Sequence, residues 1–398
     1  MKPTSPRVIL ALSYLTFLFF GMFTAGIGPV LGELSQQTAA SLSAIGGVLT
    51  CLFLGSVVTQ IASGPLTDRL GDKPLLVASL FILSLGILAF TNARTLPWMF
   101  LLALLTGMGQ GGVDMAANLV VTDAAPKNTT SALNLLHFFF GLGAFIGPAL
   151  VGVAIASSGS GLIIHWGIAA LFFLLALAIV ALLPGRPDRA ADTDPAAEPA
   201  SGGWGVYLSP LLWLMGVLML IYVGVEIGLG SWITTYMGVT TGMLPQFGAW
   251  VTSAYWGTLA VGRLAGAAAS SRLTRMQLLT AALGGSLIGG LALFPSRGLV
   301  VPTILCMAWI GFAFGTIYPT TVALASAVFA RNQGKAVGLL VAMGSIGAAA
   351  LPLLAGRILE QDPDPGFAWF VSLGLALMVL VLFTMQRLMD RRPQSVDA

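Results

Sequence analysis

The sequence predicts an all-α membrane protein of twelve transmembrane helices in two six-helix bundles. Three observations lead there. Only 8% of the residues are charged and 57% are hydrophobic, with a mean hydropathy of +0.93. No soluble domain of 398 residues hides that much apolar surface. The apolar residues fall into twelve blocks, each near the roughly 20 residues that cross a bilayer, and one long polar stretch divides them six and six.

The first block, 8–32, follows MKPTSPR. It is too long for the apolar part of a signal peptide and has no small-residue cleavage site, so it is read as a span. Blocks 41–65, 74–93, 97–122, 132–156 and 161–184 complete the first half; 208–237, 245–269, 276–294, 300–327, 335–357 and 366–388 form the second. Forty-nine glycines and 21 prolines, set among Leu, Ala, Val and Phe, read as close helix packing and helix breaks. Cys51 and Cys306 lie inside apolar blocks and predict no disulfide.

Between the halves runs PGRPDRAADTDPAAEPASGGWG, with the Pro, Ala, Asp and Gly bias of a flexible linker. The expected domains are therefore 1–184, a linker 185–207 and 208–398. The halves also match at a shift of 204 residues, pairing Gly107 with Gly311, Gly111 with Gly315, Ala132 with Ala336, Gly143 with Gly347 and Pro148 with Pro352. Parallel repeats of six-helix units are one transporter architecture, with the substrate site near mid-membrane between the halves.

An even number of spans leaves both termini on one side. With the N-terminus in the cytoplasm, 14 of the 18 Lys and Arg residues fall in cytoplasmic segments, while Arg94, Arg297 and Arg357 lie outside and Arg263 lies in a span. The positive-inside rule then fixes cytoplasmic termini, and it accounts for the net charge of +3 without a nucleic-acid partner. The expected location is the cell inner membrane.

Asp114 and Glu226 stand in the middle of apolar spans. A carboxylate at the bilayer centre costs roughly 2.5 to 3.5 kcal/mol even on lenient insertion scales, so such groups face a protein interior or a watery cavity and serve transport. Asp114 and Asn118 are four residues apart on one helix face, where an acid and an amide can share one polyol. Glu226 leads Glu226-Ile-Gly-Leu-Gly-Ser231-Trp232-Ile-Thr-Thr-Tyr236. An indole beside hydroxyls suits a sugar ring; an interfacial aromatic belt is the other reading of Trp232 and Tyr236. Span one offers only Thr24 and a terminal Glu33, the latter expected at the outer water interface.

Asn134 and His137 share a face of span five, where an amide and an imidazole can bond a solute's hydroxyls or a neighbouring helix. His165 is expected to be structural. Tyr318 is the repeat partner of Asp114, so the two are expected to face one cavity. Of the adjacent Tyr255 and Trp256 in span eight, one packs and Trp256 is the candidate for the cavity. Gly107–Gly112 fits G-x-G-x-x-G but follows no strand, so it is a helix-packing surface. Asn128-Thr-Thr130 fits a glycosylation acceptor on the wrong side. No nucleophilic triad, metal cluster or P-loop lysine appears, so no enzyme, cofactor or metal is expected.

The loop after span two reads Gly64-Pro-Leu-Thr-Asp68-Arg69-Leu-Gly71-Asp72-Lys73-Pro. Alternating acid and base flanked by glycines can latch neighbouring helices as two halves rock, which makes Gly64, Asp68, Arg69, Gly71, Lys73 and the intramembrane Arg263 candidate gating residues. This loop resembles the signature of the major facilitator superfamily, whose twelve-span, two-bundle plan covers the whole chain. Its counterpart after span eight is degraded and lacks the acid. Asp114-Met-Ala-Ala-Asn118 and the Glu226 segment resemble the fucose/galactose/glucose:proton symporter group, although that group carries an acid in span one that is missing here.

The resemblance implies a secondary transporter working by alternating access on a small neutral solute, a monosaccharide, coupled to a proton, with sodium or uniport left open. Asp114 and Glu226 are then the proton-coupling candidates. The substrate-binding candidates are Asp114, Asn118, Asn134, His137, Glu226, Trp232, Trp256 and Tyr318. A monomer in the lipid bilayer is expected. Gly143–Gly152 partly resembles the antiporter motif, which leaves proton-coupled export of drug-like or amphipathic compounds as the alternative.

Overall fold

The computed structural model describes residues 6–182 and 204–390. Most of the expected linker lies outside them, as do the side chains of Asp68 and Arg69 and the placement of Gly64 beyond its helical backbone. Among the described residues, thirteen α-helices make twelve crossings: α1 Pro6–Thr38, α2 Leu42–Leu70, α3 Asp72–Thr91, α4 Leu96–Ala124, α5 Thr129–Ser158, α6 Leu162–Leu182, α7 Pro210–Thr241, α8 Pro245–Ala269, α9 Arg275–Ser296, α10 Val300–Phe314, α11 Ile317–Val328, α12 Gln333–Gln361 and α13 Gly366–Asp390. Eleven of the crossings are long and apolar enough to span a membrane by length and composition alone. The twelfth, α8, carries Arg263, Tyr255 and Trp256, which dilute its hydropathy.

The helices begin and end for local reasons. Ser41 caps α2 by accepting from the Ala44 N–H at 3.2 Å, and Thr274 and Gln277 form a reciprocal capping box on α9. Gly71 joins α2 to α3 at a φ of 83°, where a side chain would be strained, and its N–H closes on the Thr67 carbonyl at 2.8 Å. Outward faces carry Ile61, Ile288, Val301 and Leu305, all largely exposed. Such surfaces are stable against lipid and unstable in water.

The block 300–327, expected as one span, is broken between α10 and α11. Pro319 explains the break. It has no N–H for the carbonyl four residues back, that of Gly315, and its ring crowds that carbonyl. The chain tightens instead, with the Gly315 N–H bonding the Phe312 carbonyl at 3.3 Å. The repeat partner of Pro319 is Met115, and α4 runs through unbroken.

The repeat shows in the packing. A Cβ on Gly143 would lie 1.9 Å from the Leu18 carbonyl oxygen, and one on its partner Gly347 would lie 1.9 Å from that of Leu220. These glycines let α5 close on α1 and α12 on α7. Gly107 and Gly311 do the same for α4 on α2 and α10 on α8, so the G-x-G-x-x-G match is indeed buried helix contact.

Between the bundles, contact runs through α2 with α12, α5 with α8, and α1 with α7 and α8. Hydrogen bonds cross there from the Ser43 N–H to Glu360 Oε2 at 2.8 Å, Thr50 Oγ1 to the Ala349 carbonyl at 2.7 Å, and Trp250 Nε1 to the Ala149 carbonyl at 3.3 Å. All lie in the half of the molecule away from the basic loops that hold Lys73, Lys127, Arg275 and Lys335. We call these halves the far end and the basic end. Among the described residues no extensive packing joins α4 or α5 to α10 or α11, so the bundles are closed at the far end and parted at the basic end.

Candidate functional site

The site forms where the closed half gives way to the parted half. On α4, Gln110, Asp114 and Asn118 make a polar stripe at four-residue intervals, a single helix face. Asn118 Nδ2 donates to the Asp114 backbone carbonyl at 2.7 Å and approaches Asp114 Oδ1 at 3.4 Å. Asp114 is half-buried, and its side chain gains little from that contact. On α5, Asn134 and His137 are exposed toward the parted half, with the imidazole edge-on to Phe17 at 5.5 Å between centroids.

Glu226 on α7 is buried and surrounded. The Tyr222 hydroxyl, one turn earlier on the same face, lies 2.7 Å from Glu226 Oε1 and 3.1 Å from the carbonyl of Phe314, the last residue of α10. Arg263 Nη2 from α8 stands 3.9 Å from the same Oε1. Its Nε is buried without a hydrogen-bond partner, so the guanidinium is only loosely tied. The Tyr255 hydroxyl donates to the Glu226 backbone carbonyl at 3.1 Å and pins α8 to α7. Tyr318 on α11 lies within electrostatic reach of Asp114, Glu226 and Arg263, and His137 within reach of Arg263. Tyr222, Glu226, Tyr255 and Arg263 thus form one contact cluster from α7 and α8, with Asp114 on α4, His137 on α5 and Tyr318 on α11 outside those contacts.

Trp232 lies elsewhere. It is fully buried at the far-end seam, with its indole N–H on the Pro352 carbonyl at 2.8 Å and its ring against Gly46 of α2 and Gly356 of α12. No face of it is left for a sugar in this conformation. Trp256 lies against Gly230, and Tyr255 supplies the packing of that adjacent pair. Among the gating candidates, Gly71 makes the turn already described and Lys73 Nζ donates to the Val180 carbonyl of α6 at 3.3 Å, within its own bundle; Asp68, Arg69 and Gly64 lie outside the described residues. Arg263 belongs with Glu226 in the site. Glu33, expected at the outer water interface, is half-buried near the far end of α1 and accepts from Ser160 Oγ and from the Gly161 N–H at 2.9 Å, beside the start of α6. His165 is buried against Phe23, with Nδ1 3.4 Å from the Gly161 carbonyl.

Tyr222 and Gln110 are not among the residues the sequence singles out, although each stands one helical turn before an intramembrane acid, Glu226 and Asp114. Beyond the acids toward the far end, a void of about 20 Å³ opens among α1, α2, α4, α7 and α8, with Thr24, Gln110, Ser231 and Trp256 on its walls. Among the described residues no group of three or more His, Cys, Asp or Glu is placed to hold a metal ion.

A family model of the Major Facilitator Superfamily matches residues 13–352 and 229–397. The chain is 23% identical to the sodium-dependent glucose transporter 1A of Mus musculus, with 93% of this chain and 94% of that protein covered. It superposes on a bacterial homolog of the human lysosomal transporter Spinster, in an inward-facing and occupied conformation, with a TM-score of 0.80 at 17% identity over 98% of this chain and 99% of that one. The inward open conformation of the xylose transporter XylE from E. coli gives 0.76 at 17% identity, covering 98% of both chains. At these identities the structural likeness is one of fold.

Proposed function

The chain belongs to the Major Facilitator Superfamily, and from that premise we propose that it carries a monosaccharide by alternating access, with a proton as coupling ion. The observation that carries this reading is the charge balance of the site. Glu226 has a cation, Arg263, at 3.9 Å, whereas the contacts of Asp114 among the described residues are with Asn118 and include no cation. With both acids ionised the site holds one uncompensated negative charge inside the membrane, which is costly. One proton removes it.

Tyr222 gives that proton a structural consequence. Its hydroxyl has a single hydrogen and two acceptors in range, Glu226 Oε1 at 2.7 Å and the Phe314 carbonyl at 3.1 Å. Ionised Glu226 takes the Tyr222 hydrogen. Protonated Glu226 donates to the Tyr222 oxygen instead, and the tyrosine hydrogen turns to Phe314, at the break between α10 and α11. Protonation is thereby linked to the most irregular crossing of the second bundle.

The substrate falls to the other side. Asp114 accepts hydroxyl hydrogens, and the amide of Asn118 and the ring of His137 add donors and acceptors, a set suited to a neutral polyol. On the positive-inside orientation the basic end is cytoplasmic, and the conformation is open to the cytoplasm. Trp232, wedged between Gly46 and Gly356, then serves the outer closure in place of the sugar face expected of it.

The test is counterflow in proteoliposomes over monosaccharides, nucleosides and cationic dyes, followed by uptake under imposed proton or sodium gradients. A monosaccharide should exchange, and should accumulate with a proton gradient alone. Exchange of dyes without any sugar would replace this reading with drug export. Accumulation that needs sodium would replace the coupling ion.

A further inference from the structure

The void beyond the acids contains polar groups with nothing to bond. Thr24 Oγ1 and Trp256 Nε1 are both buried without a hydrogen-bond partner. Gln110 and Ser231, on the same walls, are buried as well. Buried polar groups are paired in the great majority of cases, so orphans gathered around one void need an explanation. A resident water is the simplest, since the space of about 20 Å³ holds one. Yet the walls come from both bundles, α1, α2 and α4 from one and α7 and α8 from the other. A void across a seam that parts in alternating access is made and unmade each cycle, unlike a water site within one bundle.

Its position fits the end of a bound solute. Gln110 lies four residues beyond Asp114 on the same face, about 6 Å along the axis, and Ser231 five beyond Glu226, about 7.5 Å. That separation is comparable with the length of one pyranose ring. The chemistry is equally restrictive. Indole N–H only donates, the two hydroxyls and the amide do both, and no wall residue carries a charge. A sodium ion would face the indole N–H, and an anion would find no cation. A single hydroxyl accepts from Trp256 Nε1 and donates to the amide oxygen of Gln110 or to a wall hydroxyl.

We infer that Thr24, Gln110, Ser231 and Trp256 form a terminal subsite that takes one uncharged hydroxyl of the substrate and rejects analogues lacking it. This rests on the proposed solute site but not on the solute being a monosaccharide. The test compares initial transport rates for a hydroxylated solute and its single-deoxy analogues in wild type, Thr24→Val, Ser231→Ala and Trp256→Phe.

Wild type should prefer the parent over one deoxy analogue by about tenfold. Thr24→Val and Trp256→Phe should lower transport of the parent to the level of that analogue while leaving the analogue's own rate unchanged, a pattern that general damage does not give. Equal slowing of parent and analogue, or no deoxy discrimination in wild type, overturns the subsite. If a nucleoside or linear polyol shows the pattern, the subsite stands and the monosaccharide reading falls. If no hydroxylated solute is exchanged, both fall.

Discussion

Asp114 and Glu226 occupy comparable depths in opposite bundles, yet their surroundings differ in kind. Glu226 is enclosed by its own bundle: Tyr222 from the same helix, and Tyr255 and Arg263 from α8, hold its carboxylate and its backbone. Asp114 has an amide at 3.4 Å and an open side. A carboxylate held by protein groups changes those groups when it gains a proton, whereas a carboxylate with spare acceptor capacity is free to bind a solute. On the proposed mechanism one chemical group would therefore serve two roles, switch and ligand, set by what the neighbouring helices bring.

The sharpest way to break this comparison is to neutralise each acid in turn. Glu226→Gln should cut proton-driven accumulation by about 100-fold, the scale of losing a buried carboxylate that accepts a hydrogen bond, while counterflow of the solute survives. Asp114→Asn should raise the KM for exchange by about tenfold, the scale of one charge-assisted hydrogen bond, and, because it also removes the extra negative charge that the coupled proton offsets, should lower the accumulation ratio, though less than Glu226→Gln does. Parallel measurements of accumulation and counterflow decide the matter. If the two variants trade phenotypes, the acids have been assigned to the wrong roles.

How much of this was legible beforehand follows the physics of each signal. The spans were readable because a bilayer demands long apolar runs, and the repeat because glycines recur wherever two helices of the same bundle touch, as at Gly143 and Gly347. The break after Phe314 was missed because hydropathy is blind to backbone hydrogen bonding, although Pro319 carried the information. Trp232 was set beside Glu226 by nearness in sequence. Six residues along a helix turn the side chain by about 240°, and the indole accordingly faces α2 and α12 rather than the site. The Glu226–Arg263 pairing joins residues of different helices, and no spacing along the chain encodes it.

Tyr222→Phe tests the enclosed side with a smaller change. It removes one hydroxyl and keeps the ring that stands edge-on to Phe314 at 5.4 Å. The lost bond is worth about 1 kcal/mol, so transport should fall by about fivefold. The direction in pH is informative. The hydroxyl donates to the ionised acid, and without it the ionised form loses support. Uptake should then persist to higher pH than in wild type, as read from initial rates across a pH series. An unchanged profile would leave Tyr222 as packing and remove the link between Glu226 and the break in the tenth crossing.

The smallest effect is expected on the open side, at Asn118. Its Nδ2 donates at 2.7 Å to the Asp114 backbone carbonyl, which already belongs to the helix, and only weakly to the carboxylate. Asn118→Ala therefore leaves Asp114 almost as it was and deletes only what the amide itself offers a solute. About a threefold rise in KM, with the pH profile unchanged, is the expected result for one neutral hydrogen bond. A rise exceeding that of Asp114→Asn would invert the argument. The amide would then be the principal ligand and Asp114 the group that orients it, so the open side would be organised by its helix much as Glu226 is organised by its bundle.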